Sequence, residues 1–100
     1  MRKSVPIKND FAASLRRARL FIGLPQEGFA PVSGRTYVSA LELGLKSPTL
    51  GKVDELAEVL GVHPLTLLAL AYTSEDSPIA RRATFSRVTA ELEEIVRGRG

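Results

Sequence analysis

SGRTYVSALELGLKSPTL, residues 33–50, is the stretch on which the reading of this chain turns. Val38 and Leu41, with Leu45 beyond them, fall at the spacing of one helical face and are expected to point inward. Arg35, Thr36, Tyr37 and Ser39 crowd the start of the same segment with hydrogen-bonding groups that packing does not require. A helix is expected from about Arg35 to Leu43, capped by Ser33 or Gly34 and stopped by Gly44. Its polar edge needs an explanation from outside the core.

Upstream, DFAASLRRARLFIG (10–23) repeats Phe11, Leu15, Ala18 and Ile22 at helical intervals. Asn9 or Asp10 can cap this helix and Gly23 ends it. Arg16, Arg17 and Arg19 lie largely off the apolar stripe and are expected on the solvated outer side. In LPQEGFAPVSG (24–34), Pro25 suits a first helical position, Gln26 and Glu27 complete a first turn, and Pro31 limits the length. This second helix is therefore expected to be short, about two turns.

Downstream, Lys46-Ser47-Pro48 reads as a loop and Thr49 as the cap of a fourth helix. Val53, Leu56, Ala57 and Leu60 form its stripe and Gly61 ends it. HPLTLLALAY (63–72) is a fifth helix with His63 as cap and Pro64 at the first position. Being apolar nearly all round, it is expected to be the central core helix. TSEDS (73–77) reads as a polar linker, and Ser77-Pro78 opens a last helix. There Phe85, Val88, Leu92 and Ile95 alternate in coiled-coil steps. Two heptads are short for an independent coiled coil, so this seam is expected to pack on the domain or to pair within a dimer.

The 100 residues suit one small domain, with 44% hydrophobic and 25% charged residues. The net charge is +3, unevenly placed: residues 1–50 hold eight Lys/Arg against three acids, and residues 51–100 hold six against eight. A basic half joined to a slightly acidic half suits one surface turned toward a polyanion. There is no cysteine, which excludes a disulfide framework, a thiolate nucleophile and cysteine-ligated metal sites. The lone His63, the absence of nucleophile-elbow glycines around any serine and the lack of a phosphate-cradling glycine loop argue against an enzyme. Glu91, Glu93 and Glu94 read as a solvated face without metal spacing. No metal or cofactor is expected. The basic start is followed by no apolar run, so no secretory leader is expected. Leu67–Tyr72 is far too short to cross a bilayer. A cytoplasmic protein, of bacterial, phage or mobile-element context, is the expectation.

From about Leu15 to Leu70 the chain resembles the Xre/Cro-type, phage-repressor-like family of helix-turn-helix DNA-binding domains. The resemblance rests on LRRARLFIGLPQEGFA, RTYVSALELG, KSPTLGKVDELAEVLGVHP and the LTLLAL that follows. It implies an all-α fold, a five-helix repressor-like domain plus a C-terminal helix. It also implies a second helix across the DNA backbone and a third in the major groove. By motif match Arg35, Thr36 and Ala40 take positions that face base edges. Gln26, Tyr37, Ser39, Lys46 and Ser47 take positions that meet phosphates or orient the helix. Leu41 and Glu42 match framework positions, and Glu42 would hold an internal polar contact. The chain departs from the family in its shorter spacing between Gln26 and Tyr37, in Pro31, and in Leu43, which stands where a polar residue is usual.

Physical chemistry points the same way. An arginine can form a bidentate fork with guanine, worth roughly 1–3 kcal/mol of discrimination, and a threonine methyl can touch thymine. Tyr and Ser hydroxyls can bond to phosphates, which orient a protein without reading sequence. The expected organisation is a basic arm over 1–8, a DNA-binding domain over 9–73, and a linker with a dimerisation or partner helix over 74–100. The expected function is a sequence-specific regulator, a repressor acting as a homodimer on palindromic double-stranded DNA. The alternative is an antitoxin that holds a partner through its last helix and represses its own operon.

Overall fold

The computed structural model describes residues 9–98; the expected basic arm, 1–8, lies outside them. All regular structure in the described residues is helical. Helices α1 (Phe11–Ile22), α2 (Arg35–Glu42), α3 (Leu50–Leu60), α4 (Pro64–Thr73) and α5 (Pro78–Arg97) follow in order, with a 3-10 turn, Gln26–Phe29, between α1 and α2.

The caps follow the sequence closely. Asp10 Oδ1 accepts from Ala13 N at 3.1 Å, and Thr49 Oγ1 from Lys52 N at 3.1 Å. His63 Nδ1 accepts from Leu65 N at 3.0 Å, and Ser77 Oγ from Ala80 N at 3.1 Å. Each satisfies an amide that the first helical turn leaves without an intrahelical partner. α2 differs: its N-cap is Gly34, which offers no side chain. At its other end Gly44 takes φ 75°, a left-handed conformation that a Cβ would strain.

Leu15, Phe29, Val38, Leu41, Val53, Leu56, Ala57, Leu60 and Leu67 make one buried cluster. α1 packs on α4 and α2, and α3 packs on α4. Asp10 N donates to Ala71 O at 2.9 Å, tying the start of α1 to the end of α4. Phe29, completely buried, brings the 3-10 turn into this core. Gly28 lies against Leu24 so closely that a Cβ there would run into the Leu24 side chain.

Several expectations need correction. The second helix is a four-residue 3-10 turn rather than an α-helix of two turns, and Pro25 caps it from an extended conformation instead of opening it. The shortened segment before Pro31 leaves no room for a second turn. Leu45 and Ile22 are exposed, because Ile22 is the last residue of α1 and Leu45 lies past the end of α2, beyond the turn at Gly44. α4 is not enclosed: Leu65 and Tyr72 are exposed while Leu67 and Ala71 are buried.

α5 buries no residue. Phe85, Val88, Leu92 and Ile95 are all exposed, so the expected packing of this seam on the domain does not occur. The helix is held at its root, where Arg81 Nε donates to Thr73 Oγ1 at 3.2 Å and Arg81 Nη2 to Thr73 O at 3.1 Å. A 20-residue helix runs about 30 Å. The radius of gyration, 15.5 Å, accordingly exceeds the value of about 13 Å for a compact chain of this length. No single helix among the described residues is long and apolar enough to cross a membrane.

Candidate nucleic-acid interface

α2 divides cleanly into a back and an edge. Val38 and Leu41 are 0% exposed, which fixes the helix against the core and settles which side faces out. Arg35 and Thr36 are exposed at its first turn, while Tyr37, Ser39 and Ala40 are half-buried. With Gly34 as cap, no side chain takes the first amides of α2. Those amides and the helix dipole give the tip a preference for anions.

Arg35 Nε stands 3.2 Å from Glu27 Oε1, with both side chains mostly in solvent. Two ammonium groups, Lys46 Nζ and Lys52 Nζ, each lie 5.6 Å from the centroid of the Tyr37 ring. Cations at that distance are attracted to the face of the ring. Lys46 and Ser47 are exposed in the loop after α2. The structure thus gathers Arg35, Thr36 and Tyr37 with Lys46 around the outward tip of α2.

Gln26 points elsewhere: its Nε2 donates to Glu42 Oε1 at 3.1 Å, with one amide hydrogen left over. Sequence reasoning missed Lys52, which bonds Val32 O at 2.7 Å and pairs with Glu55 at 2.8 Å. Lys52 therefore ties α3 to the turn that precedes α2. Its position in the first turn of an amphipathic helix gave no signal of this. Glu27 was likewise read only as part of a helix start.

The largest correction concerns Arg19. Instead of lying on a solvated face, it is buried and donates from Nε to Glu42 Oε2 at 2.6 Å and from Nη2 to Glu42 Oε1 at 2.8 Å. Its Nη1 donates to Leu24 O at 3.1 Å. Glu42, at the end of α2, holds the internal polar contact that the resemblance implies. Burial pushes the Glu42 carboxyl up, but hydrogen bonds from Arg19 and Gln26 and the Arg19 charge outweigh it, so the carboxyl titrates below its usual range. The same bond to Glu42 raises Arg19 against a smaller effect of burial. The network fastens α1, the 3-10 turn and the end of α2 into one unit, which fixes the angle at which the tip is presented. Arg16 and Arg17 are exposed as expected. Leu43 stands free in solvent.

A short outward helix with a positive, hydrogen-bonding tip and an apolar back matches what a major groove admits. The helix-turn-helix family model matches residues 15–67, more than half of the chain. No curated protein and no solved structure matches it. The matched span runs from Leu15, through the Arg19–Glu42 lock and the outward tip of α2, to Leu67 in the core, and on that ground the chain belongs to the Xre/Cro-type helix-turn-helix family of DNA-binding transcription regulators.

Proposed function

We propose that this regulator is a sequence-specific repressor that binds a palindromic operator as a homodimer in the cytoplasm. Arg35, Thr36 and Ala40 meet base edges in this reading. Tyr37, Ser39, Lys46, Ser47 and the free amide hydrogen of Gln26 meet phosphates. One observation carries it: the exposed tip of α2 stands on a completely buried backing of Val38 and Leu41. A single short helix offers few base contacts, and pairing two of them multiplies affinity. The two-fold axis of such a dimer sets half-sites about 34–36 Å apart. Residues 9–73 serve as the DNA-binding unit, and residues 74–100 as the linker and pairing element.

Selection of bound fragments from random or genomic DNA tests this directly, since it returns the operator, its symmetry and the half-site spacing together. Arg35→Ala is expected to weaken binding to the selected sequence about 10- to 100-fold and to leave non-specific binding nearly unchanged. Equal loss on both kinds of DNA refutes base reading. The antitoxin alternative draws on the exposed face of α5. Co-purification of a small toxin-like protein in place of a second copy of the chain would favour it.

A further inference from the structure

α5 carries its charge in two blocks. Arg81, Arg82 and Arg87 lie in its first half, and Glu91, Glu93 and Glu94 in its second, followed by Arg97 in the last turn. The arginine block runs against the sign that the helix dipole favours near its start, whereas Arg97 in the last turn follows it. Within the helix a single pair answers the block, Arg87 Nε to Glu91 Oε2 at 3.2 Å. On the same helix the seam of Phe85, Val88, Leu92 and Ile95 is uncovered.

From these two features, and resting on the homodimer reading above, we propose that a second copy of the chain covers this seam with its α5 antiparallel. Steps of three, four and three residues make the seam symmetric about position 90. Turned end for end, Phe85 meets Ile95 of the second copy and Val88 meets Leu92, so apolar layers close in both directions. Arg87 of each helix then lies along the Glu91–Glu94 stretch of the other, while Arg81 and Arg82 fall past its end. Arg87 falls within one turn of the second copy's Glu91 and supplements its own pair. A parallel arrangement stacks arginines on arginines and glutamates on glutamates, a repulsion that e/g-type flanks are known to read as the wrong orientation.

The surroundings continue the face. A groove between α4 and the root of α5 is lined by Leu65, Thr66, Ala69, Leu70 and Phe85. In the antiparallel pair it receives Ile95 and Val96 of the second copy, both exposed in the single chain. The pair also holds the two DNA-binding units apart. Their attachment points at Pro78 stand about 36 Å from each other at 1.5 Å per residue, close to the spacing of half-sites one duplex turn apart, about 34–36 Å.

The test uses the full chain, whose lack of cysteine makes single spin labels clean. Ala83→Cys, Ala90→Cys and Arg97→Cys place labels on the side of α5 away from the seam. Pulsed dipolar distances are expected to be shortest at 90 and longer, by similar amounts, at 83 and 97. Equal distances at all three overturn the antiparallel arrangement. Light scattering is expected to give a dimer, and Leu92→Asp a folded monomer with unchanged helical content, because Leu92 is exposed in the single chain and takes no part in the core. A monomeric parent, a dimer that survives Leu92→Asp, or a different protein seated on the seam each overturns the proposal. DNA binding is read separately. Leu92→Asp is expected to lose about 100-fold on a two-half-site fragment and little on a single half-site. A labelled antiparallel dimer that shifts no DNA would sink the repressor reading and leave this inference standing.

Discussion

Arg19 and Glu42 share two hydrogen bonds, at 2.6 and 2.8 Å, with side chains only 10% and 4% exposed. They join α1 to the last residue of α2, so this buried pair lies between the core and the surface proposed to meet DNA. Removing one partner leaves the other charge without compensation in a dry place. Glu42→Ala is therefore expected to cost about 3–5 kcal/mol, a large part of the roughly 5–15 kcal/mol that holds a domain together. Replacing both, as Arg19→Met with Glu42→Leu, is expected to cost far less, since neither charge is then stranded. Urea unfolding of the three variants checks this. A Glu42→Ala loss below about 1 kcal/mol, the range of exposed pairs, would show that the pair is solvated in solution.

The same carboxyl sets an acid limit. Its folded-state pKa lies below the unfolded value, so its contribution is fully present above the ordinary carboxylate range. That contribution is lost as pH falls through the folded-state value. Melting temperature measured from pH 7 downward should drop as the solution turns acid. In Glu42→Gln the drop should be shallower, starting from a lower plateau. Parallel curves for the two proteins would assign the acid sensitivity to other carboxylates.

The sequence carried the helices well and the connections poorly. The cap at Asn9 or Asp10, those at Thr49 and His63, the opening of α5 at Ser77-Pro78, and the stripe of Val53, Leu56, Ala57 and Leu60 were legible because cap chemistry and helical period are local. Arg19 was misread for the opposite reason. Its partner is 23 residues away, and nothing in the period of α1 tells a buried arginine from a solvated one. The 3-10 turn replaced a short helix because the shortened segment ending at Pro31 has to carry Phe29 into the core, a tertiary demand. Arg35 and Thr36 on an outward tip were legible, since Val38 and Leu41 fix the face. The contacts of Lys52 and Glu27, each made to a distant segment, were not.

Glu27 sits opposite Arg35 across the turn, 3.2 Å away and in solvent. Such a pair contributes about 0–1 kcal/mol to stability, so Glu27→Gln should melt no more than about 4–8 °C below the parent. Its effect belongs to binding. The carboxylate adds negative charge beside the surface proposed to approach phosphates, and it competes for the Arg35 fork. Glu27→Gln is expected to tighten binding to arbitrary duplexes several-fold at low salt. It should narrow the preference for the operator, because Arg35 is then free to settle on any phosphate. A gel-shift titration on matched and scrambled fragments reads both quantities. Unchanged affinity on scrambled DNA would place Glu27 outside the reach of the duplex.

Lys46 and Lys52 stand at equal distance from the Tyr37 ring, 5.6 Å, yet their expected behaviour differs. Lys46 is exposed in its loop, whereas the Lys52 ammonium is already engaged by Val32 O and Glu55. A free ammonium that neutralises one phosphate contributes about 0.9 to the slope of log K against log salt. Lys46→Ala should therefore weaken binding uniformly across sequences and lower that slope by about one. Lys52→Ala should leave the slope nearly unchanged. It should reduce thermal stability instead, because Val32 O loses its donor and the turn before α2 loosens. Tyr37→Phe keeps the ring beside the lysines and removes just the hydroxyl. A loss of affinity in that variant with stability intact therefore assigns the hydroxyl to a phosphate. If the two lysine variants exchanged these behaviours, Lys52 would be the ammonium that meets DNA and Lys46 the structural partner of the ring.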